Sequence, residues 1–164
     1  MRARIETSFG TIEIELFEND TPRTVRNFVR LANAGFYTDL VFHRIVKGFV
    51  IQTGDPNTRN GSGNRSLWGT GGSDKTVPLE IVSSLQNNAG NLGMARSQDP
   101  NSGSSQFYIN LTDNNSLNGS YTVFGRVTNG MQVVKSIASV PVDKNDAPIA
   151  PSDALIKSIS IEQP

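Results

Sequence analysis

Apolar and polar residues alternate with a period of two near the start of the chain. Ile5, Thr7 and Phe9 form one run, Ile12, Ile14 and Leu16 a second, and Gly10 lies between them. This is the pattern of two half-buried strands joined by a tight bend. The period then lengthens. Val25, Phe28, Val29 and Ala32 fall on one face of a helix that Thr21 is placed to cap, Pro22 to open and Gly35 to end. Residues 40–51 are apolar and β-branched apart from the break at Lys47-Gly48, which predicts two short strands; residues 106–110 and 121–127 predict two more. Asn129-Gly130 precedes a second helix with Met131, Val134, Ile137 and Ala138 on one face, and Leu155, Ile159 and Ile161 alternate in a closing strand. Residues 55–75 and 87–105 are rich in Gly, Asn and Ser and have little periodicity. A loop as long as the first is usually functional or disordered in a compact domain. Many short strands and only two helices predict a mainly β architecture, a barrel or sandwich with helical caps. No internal repeat or linker interrupts the 164 residues, so one domain over 1–164 is expected.

Composition then removes whole classes of chemistry. Fifteen basic and fifteen acidic residues cancel, which argues against general affinity for nucleic acid or an anionic membrane. There is no cysteine and a single histidine, His43, so disulfides, a cysteine nucleophile and the multi-His or multi-Cys zinc sites are excluded. No apolar run approaches the roughly 18 residues of a membrane span. The start, Met1-Arg2-Ala3-Arg4-Ile5-Glu6, has basic residues but no apolar core of a signal peptide. A cytoplasmic location is expected, or a periplasmic or secreted one if a leader has been removed. No nucleophile elbow and no P-loop is present, and Gly61, Gly63, Gly69, Gly71 and Gly72 do not fit a dinucleotide fingerprint. Asp113 begins something like a calcium loop that fails at Leu117 and Asn118. Arg23, Arg26 and Arg30 form either a phosphate-binding stripe or a solvated helix face, and zero net charge favours the second. His43 sits in an apolar strand with no carboxylate nearby in sequence, so it reads as structural rather than as the base of a triad.

One segment is informative. Residues 42–55 read F-H-R-I-V-K-G-F-V-I-Q-T-G-D, and Arg44 and Gln52 are polar groups inside otherwise apolar strands. Two readings stay open from the segment alone. Arg44 can pack its stem and send its head to water, or the pair can form a site with apolar walls and few placed donors. The segment resembles the signature of the cyclophilin family of peptidyl-prolyl cis-trans isomerases. The likeness continues through W-G-T-G-G at 68–72, G-N-L-G-M-A-R-S at 90–97, N-S-G-S-S-Q-F-Y-I-N at 101–110 and S-L-N-G-S-Y-T-V-F-G-R-V at 116–127. The motifs occur in family order over nearly the whole chain, and the long polar loop most resembles the prokaryotic single-domain members.

The resemblance implies a closed eight-stranded antiparallel β-barrel capped by two α-helices, with the site on its outer face. It implies catalysis of rotation about X-Pro bonds without metal or cofactor. Arg44 would be the catalytic arginine, with Phe49 and Gln52 beside it. Phe49, Val50, Tyr108 and Leu117 would wall a proline pocket, and Gln52 and Gln106 would hydrogen-bond around it. The backbone of Ala95 and Arg96 would hold the peptide extended, Tyr121 would flank the pocket, and Gly69 would line the neighbouring groove. The implied partners are proline-containing peptides and unfolded or flexible client proteins, and the implied state is a monomer.

Four positions depart from the family pattern. Ser116 stands where many members carry an aromatic that helps bind cyclosporin, so weak cyclosporin binding is expected. Tyr108 replaces the usual Phe, and Tyr121 a His. Arg96 replaces a common Asn; since the family uses the backbone there, the exchange is neutral or turns preference towards acidic residues before proline. Two classes of function remain: an active isomerase, and a module that binds proline peptides without catalysis. Retention of Arg44 favours the first. A hollow ligand barrel of the lipocalin kind is disfavoured, because the motif positions require no cavity inside.

Overall fold

The computed structural model describes residues 1–163. Eight strands form one antiparallel sheet: β1 (Arg2–Thr7), β2 (Gly10–Leu16), β3 (Arg44–Val46), β4 (Val50–Thr53), β5 (Asn91–Met94), β6 (Phe107–Asn110), β7 (Val123–Asn129) and β8 (Ile156–Glu162). Their order across the sheet is β3-β4-β6-β5-β7-β2-β1-β8. Two α-helices, α1 (Pro22–Asn33) and α2 (Met131–Ala138), complete the fold. The expected architecture is therefore present in strand number, pairing sense and helix count.

Closure differs from expectation. The end strands β3 and β8 share no ladder. Residues 39–42 span the gap instead: the Asp39 and Phe42 amides donate to Ile156 O and Ala154 O, the Ile156 amide donates to Leu40 O, and Val41 bridges Leu155. Val41 is the non-hydrogen-bonded member of this bridge and turns its own backbone groups away from β8, onto side chains. Its N–H donates to Thr58 Oγ1 at 3.0 Å and its carbonyl accepts from Thr53 Oγ1 at 2.9 Å. The sheet is a curled half-barrel rather than a closed barrel.

Alternation sorts the strands into two faces. Ile5, Ile12, Ile14, Ile45, Ile51, Leu92, Phe107, Ile109, Phe124 and Ile156 point inward and fill the interior. Phe28 of α1 stands over this core, with ring centroids 5.4–5.5 Å from Tyr37, Phe107 and Phe124. Helix α2 covers β2, β3 and β4 with Val133, Val134 and Ile137 buried; Met131 and Ala138, expected on that face, are only half-buried. Arg23, Arg26 and Arg30 are exposed, as a solvated face requires.

Three local expectations change. The first turn is Ser8-Phe9 with Gly10 already paired to Thr7, so Phe9 is 45% exposed and not part of the core face. In β8 the buried residues are Ile156 and Ile159, not Leu155, Ile159 and Ile161; the β1–β8 register shifts between Glu6 and Thr7, which turns Ile156 inward, and Ile161 is half-buried. Thr21 does not cap α1; its hydroxyl donates to Phe17 O. Glu80, fifty-odd residues away, takes the free amides instead: Thr24 N–H at 2.7 Å, Arg23 N–H at 3.2 Å and the Thr24 hydroxyl at 2.7 Å. A carboxylate at a helix N-terminus also suits the macrodipole. Glu80→Ala is expected to lower unfolding stability by about 1–2 kcal/mol, read as a fall in the urea midpoint at unchanged slope; an unchanged midpoint would show the cap to be idle.

Candidate active site

The outward-facing residues of the central strands make a second, polar set. Register places Arg44 opposite Gln52, Gln52 opposite Tyr108, and Tyr108 opposite Gly93. The Lys47-Gly48 turn between β3 and β4 brings Phe49 to the end of this row, and the Arg44 guanidinium carbon lies 5.9 Å from its ring centroid. Glycine at 93 is required here, because any Cβ would collide with the Tyr108 ring. The missing side chain creates the hollow that the ring occupies.

These residues open on a cleft of about 470 Å³. Arg44, Phe49, Val50, Gln52, Tyr108, Leu117 and Tyr121 line it, and Ala95, Arg96 and Gly69 form its far side. Gln106 lines the adjoining groove with Gly69, Ala95 and Arg96. All eleven residues singled out from the sequence thus lie in two contiguous depressions on the outer face of the sheet. Ser116 is exposed on the short turn that presents Leu117 and does not line the cleft.

Buried hydrogen bonds hold the apolar wall in place. The Tyr108 hydroxyl donates to Asn87 Oδ1 at 2.7 Å, and Asn110 Nδ2 donates to the same oxygen at 3.2 Å. Asn114 Nδ2 donates to Asn110 Oδ1 at 2.8 Å and to Phe49 O at 3.0 Å. Burial pushes the Tyr108 phenol well above its usual pKa, so it stays a neutral donor. Tyr121 stands edge-on to Tyr108, with centroids 5.9 Å apart. The Arg96 guanidinium lies 4.7 Å over the Tyr121 ring and donates to the carbonyls of Ser120, Ser97 and Gln98.

A polar chain runs along the other side. Arg44 donates to Gln52 Oε1 at 3.3 Å, Gln52 Nε2 to Gln106 Oε1 at 2.9 Å, and Gln106 Nε2 to Gly69 O and Gly71 O at 3.0 and 2.8 Å. Arg44 remains exposed, with its charge free towards the cleft.

Five lining residues were not singled out as binding residues from the sequence: His43, Arg65, Trp68, Asn145 and Ala147. Trp68 lay within a quoted motif, and Arg65 stacks 4.7 Å over it. Asn145 and Ala147 carried no signal, because only the folded chain brings their loop to β3. His43 is 95% buried, and neither ring nitrogen has a hydrogen-bond partner among the described residues. Desolvation pushes its pKa down, with the Asp55 carboxylate opposing this, so the ring is a neutral wall. No carboxylate orients it as a triad would need. No cluster of three potential metal ligands occurs among the described residues.

Three arginines line the cleft; Arg65 and Arg96 are held by carbonyls, and Arg44 stands beside the aromatic-walled hollow with amides along one rim. The comparisons agree with that chemistry. Residues 2–161 match the family model described as cyclophilin type peptidyl-prolyl cis-trans isomerase/CLD. Peptidyl-prolyl cis-trans isomerase CYP18-2 of Arabidopsis thaliana is 44% identical over 146 residues, covering 88% of this chain and 85% of that protein. Peptidyl-prolyl cis-trans isomerase ppi1 of Schizosaccharomyces pombe is 41% identical over 158 residues, covering 96% and 97%. A crystal structure of a cyclophilin type isomerase of Cryptosporidium parvum, solved in the presence of the dipeptide Ala-Pro, superposes with a TM-score of 0.88 at 33% identity over the whole of both chains. These relatives are eukaryotic and add no support to the prokaryotic likeness of the long loop. Motifs in order, sheet, helices and site all lead to one assignment: the chain belongs to the cyclophilin family of peptidyl-prolyl cis-trans isomerases.

Proposed function

We propose that this isomerase works through Arg44, on proline held against Phe49, Val50, Tyr108 and Leu117. Rotation about a peptide bond is opposed by about 18–20 kcal/mol. A 20 kcal/mol barrier gives roughly 10⁻² per second, so a turnover near 10³ per second requires about 7 kcal/mol of selective stabilisation. No bond to a nucleophile forms, so a triad is not needed. In the twisted transition state the prolyl nitrogen becomes pyramidal and gains a lone pair. A guanidinium aimed at that nitrogen stabilises it more than it stabilises the planar amide. The hollow grips the ring while the carbonyl side turns, and it excludes water that favours the polar planar form. The single observation that carries this reading is the row of Arg44, Gln52 and Tyr108, which sets the exposed Arg44 guanidinium beside an apolar hollow.

Extended proline-containing segments of peptides or flexible clients fit a site with Ala95 and Arg96 along its edge. The Arg96 side chain is occupied by carbonyls and Tyr121. This supports a neutral effect on the residue before proline over an acidic preference. The test is exchange NMR of an Ala-Pro peptide. Acceleration of cis-trans exchange by catalytic amounts of protein is the expected result; binding without acceleration favours the non-catalytic module.

Cyclosporin is expected to bind weakly, because Ser116 supplies no aromatic surface at the rim. Calorimetry should give a dissociation constant in the micromolar range, about −8 kcal/mol or weaker, and Ser116→Trp should tighten it. A nanomolar constant for the unmodified protein would overturn this.

A further inference from the structure

The polar chain from Arg44 does not end at Gln106. It ends on a buried carboxylate that the isomerisation scheme does not use. Asp55 is fully buried. Its carboxylate accepts from the amides of Asn57 at 2.8 Å, Gly69, and Gly71 at 3.2 Å. Residues 69 and 71 are the pair whose carbonyls receive Gln106 Nε2. The carboxylate therefore holds the far end of a long loop by the same two residues that orient Gln106.

Chemistry dictates the direction of every link. The Asp55 carboxylate accepts only from N–H groups here, and the Gly69 and Gly71 carbonyls point at Gln106. Carbonyls only accept, so Gln106 must turn its NH₂ to them and its oxygen to Gln52. Gln52 must then give its NH₂ to Gln106 and keep its oxygen for Arg44. A glutamine flipped at either place would set donor against donor. We propose that Asp55 is a positioning residue for Arg44, acting through the loop carbonyls of Gly69 and Gly71, Gln106 and Gln52. The proposal rests on the role assigned to Arg44 above.

Two neighbouring glycines fit this role. A Cβ at Gly71 would collide with Asp55 Oδ1, and a Cβ at Gly54, where φ is +100°, would collide with Ser105 O. Both keep the chain close packed around the carboxylate.

The test compares kcat and KM for an Ala-Pro peptide in four proteins: wild type, Asp55→Asn, Arg44→Ala and the double variant. Asp55→Asn is expected to lower kcat by about tenfold or more with KM changed less than about threefold. In the Arg44→Ala background it is expected to cost less than about twofold further. A loss of the same size in both backgrounds, a change in KM alone, or no loss would overturn the proposal. Gly71→Ala moves the carboxylate without altering its charge and carries the same test if Asp55→Asn does not fold. The unmodified protein supplies a measurement that needs no variant: the side-chain NH₂ of Gln106 should be slowed in hydrogen exchange and close to Gly71 by NOE. A freely averaged Gln106 amide would overturn the proposal. If Arg44→Ala itself keeps full activity, the reading of Arg44 fails first, and that outcome is distinct from the others.

Discussion

Arg44→Ala is expected to lower kcat/KM for an Ala-Pro peptide by about a hundredfold or more, which is roughly 2.7 kcal/mol of lost transition-state stabilisation. The side chain faces outward from β3, while its neighbour Ile45 fills the core. Truncation therefore removes the charge and one bond to Gln52 without opening a cavity, and the circular dichroism spectrum should be unchanged. Ground-state affinity for the peptide should change little, because the apolar hollow is built from other residues. The loss belongs in kcat. Lysine at this position is expected to recover only part of it, since a compact ammonium lacks the rigid planar fork of donors. A folded Arg44→Ala protein that keeps wild-type kcat would end the guanidinium mechanism.

The second large effect is expected at Gly93, a residue with no side chain to contact anything. Gly93→Ala places a methyl group on the Tyr108 ring. Tyr108 has little room to retreat, being tied to Asn87 through its hydroxyl and stacked edge-on with Tyr121. Overpacking of this kind costs about 1–3 kcal/mol. Here the strain is relieved by pushing the ring into the proline hollow. Peptide binding should therefore weaken by about tenfold or more, equivalent to roughly 1.4 kcal/mol, with kcat less affected. Titration of the Ala-Pro peptide followed by NMR reads this directly. Unchanged affinity in a folded Gly93→Ala protein would show that the hollow has slack on the Tyr108 side.

The two variants separate the two halves of the site. Arg44 acts on the reacting bond, and Gly93 sets the shape that holds the ring. Their effects should add, since they reach the peptide through different groups.

Much of the molecule was legible in the residues. Period-two runs mark β1 and β2 because one face of each is buried and the other is solvated. Helix α1 is marked by a period near 3.6 and by Pro22 and Gly35. All eleven site residues lay within quoted motifs, and they converge. Resemblance carried that part of the argument, because Arg44 and Gln52 alone were equally compatible with a snorkelling arginine. What stayed illegible has specific causes. β5 hides in a Gly- and Asn-rich stretch because Gly93 is there to admit Tyr108, so the strand lacks the branched residues that announce one. The cap of α1 could not be found locally because Glu80 supplies it from a distant loop. Leu155 and Ile156 exchange roles because one irregularity opposite Glu6 and Thr7 displaces the start of β8 by a place relative to residues 158–162. The seam stayed illegible because residues 39–42 meet β8 through one bridge, Val41 to Leu155, rather than through a ladder between β3 and β8.

By itself the sequence determined which stretches alternate between apolar and polar, where the chain turns, and that thiol chemistry and zinc sites built on several His or Cys are excluded. Those are local properties, set by side-chain type and spacing. The tertiary structure alone decided which outward residues stand in one row, which carbonyls Gln106 meets, and that a buried Asp55 closes the chain of polar groups. Such facts depend on register and on contacts between residues far apart in the chain, and a hydrogen bond of about 3 Å tolerates little error in either. The half of the site made of residue types was written locally; the half made of directions exists only once the strands are paired.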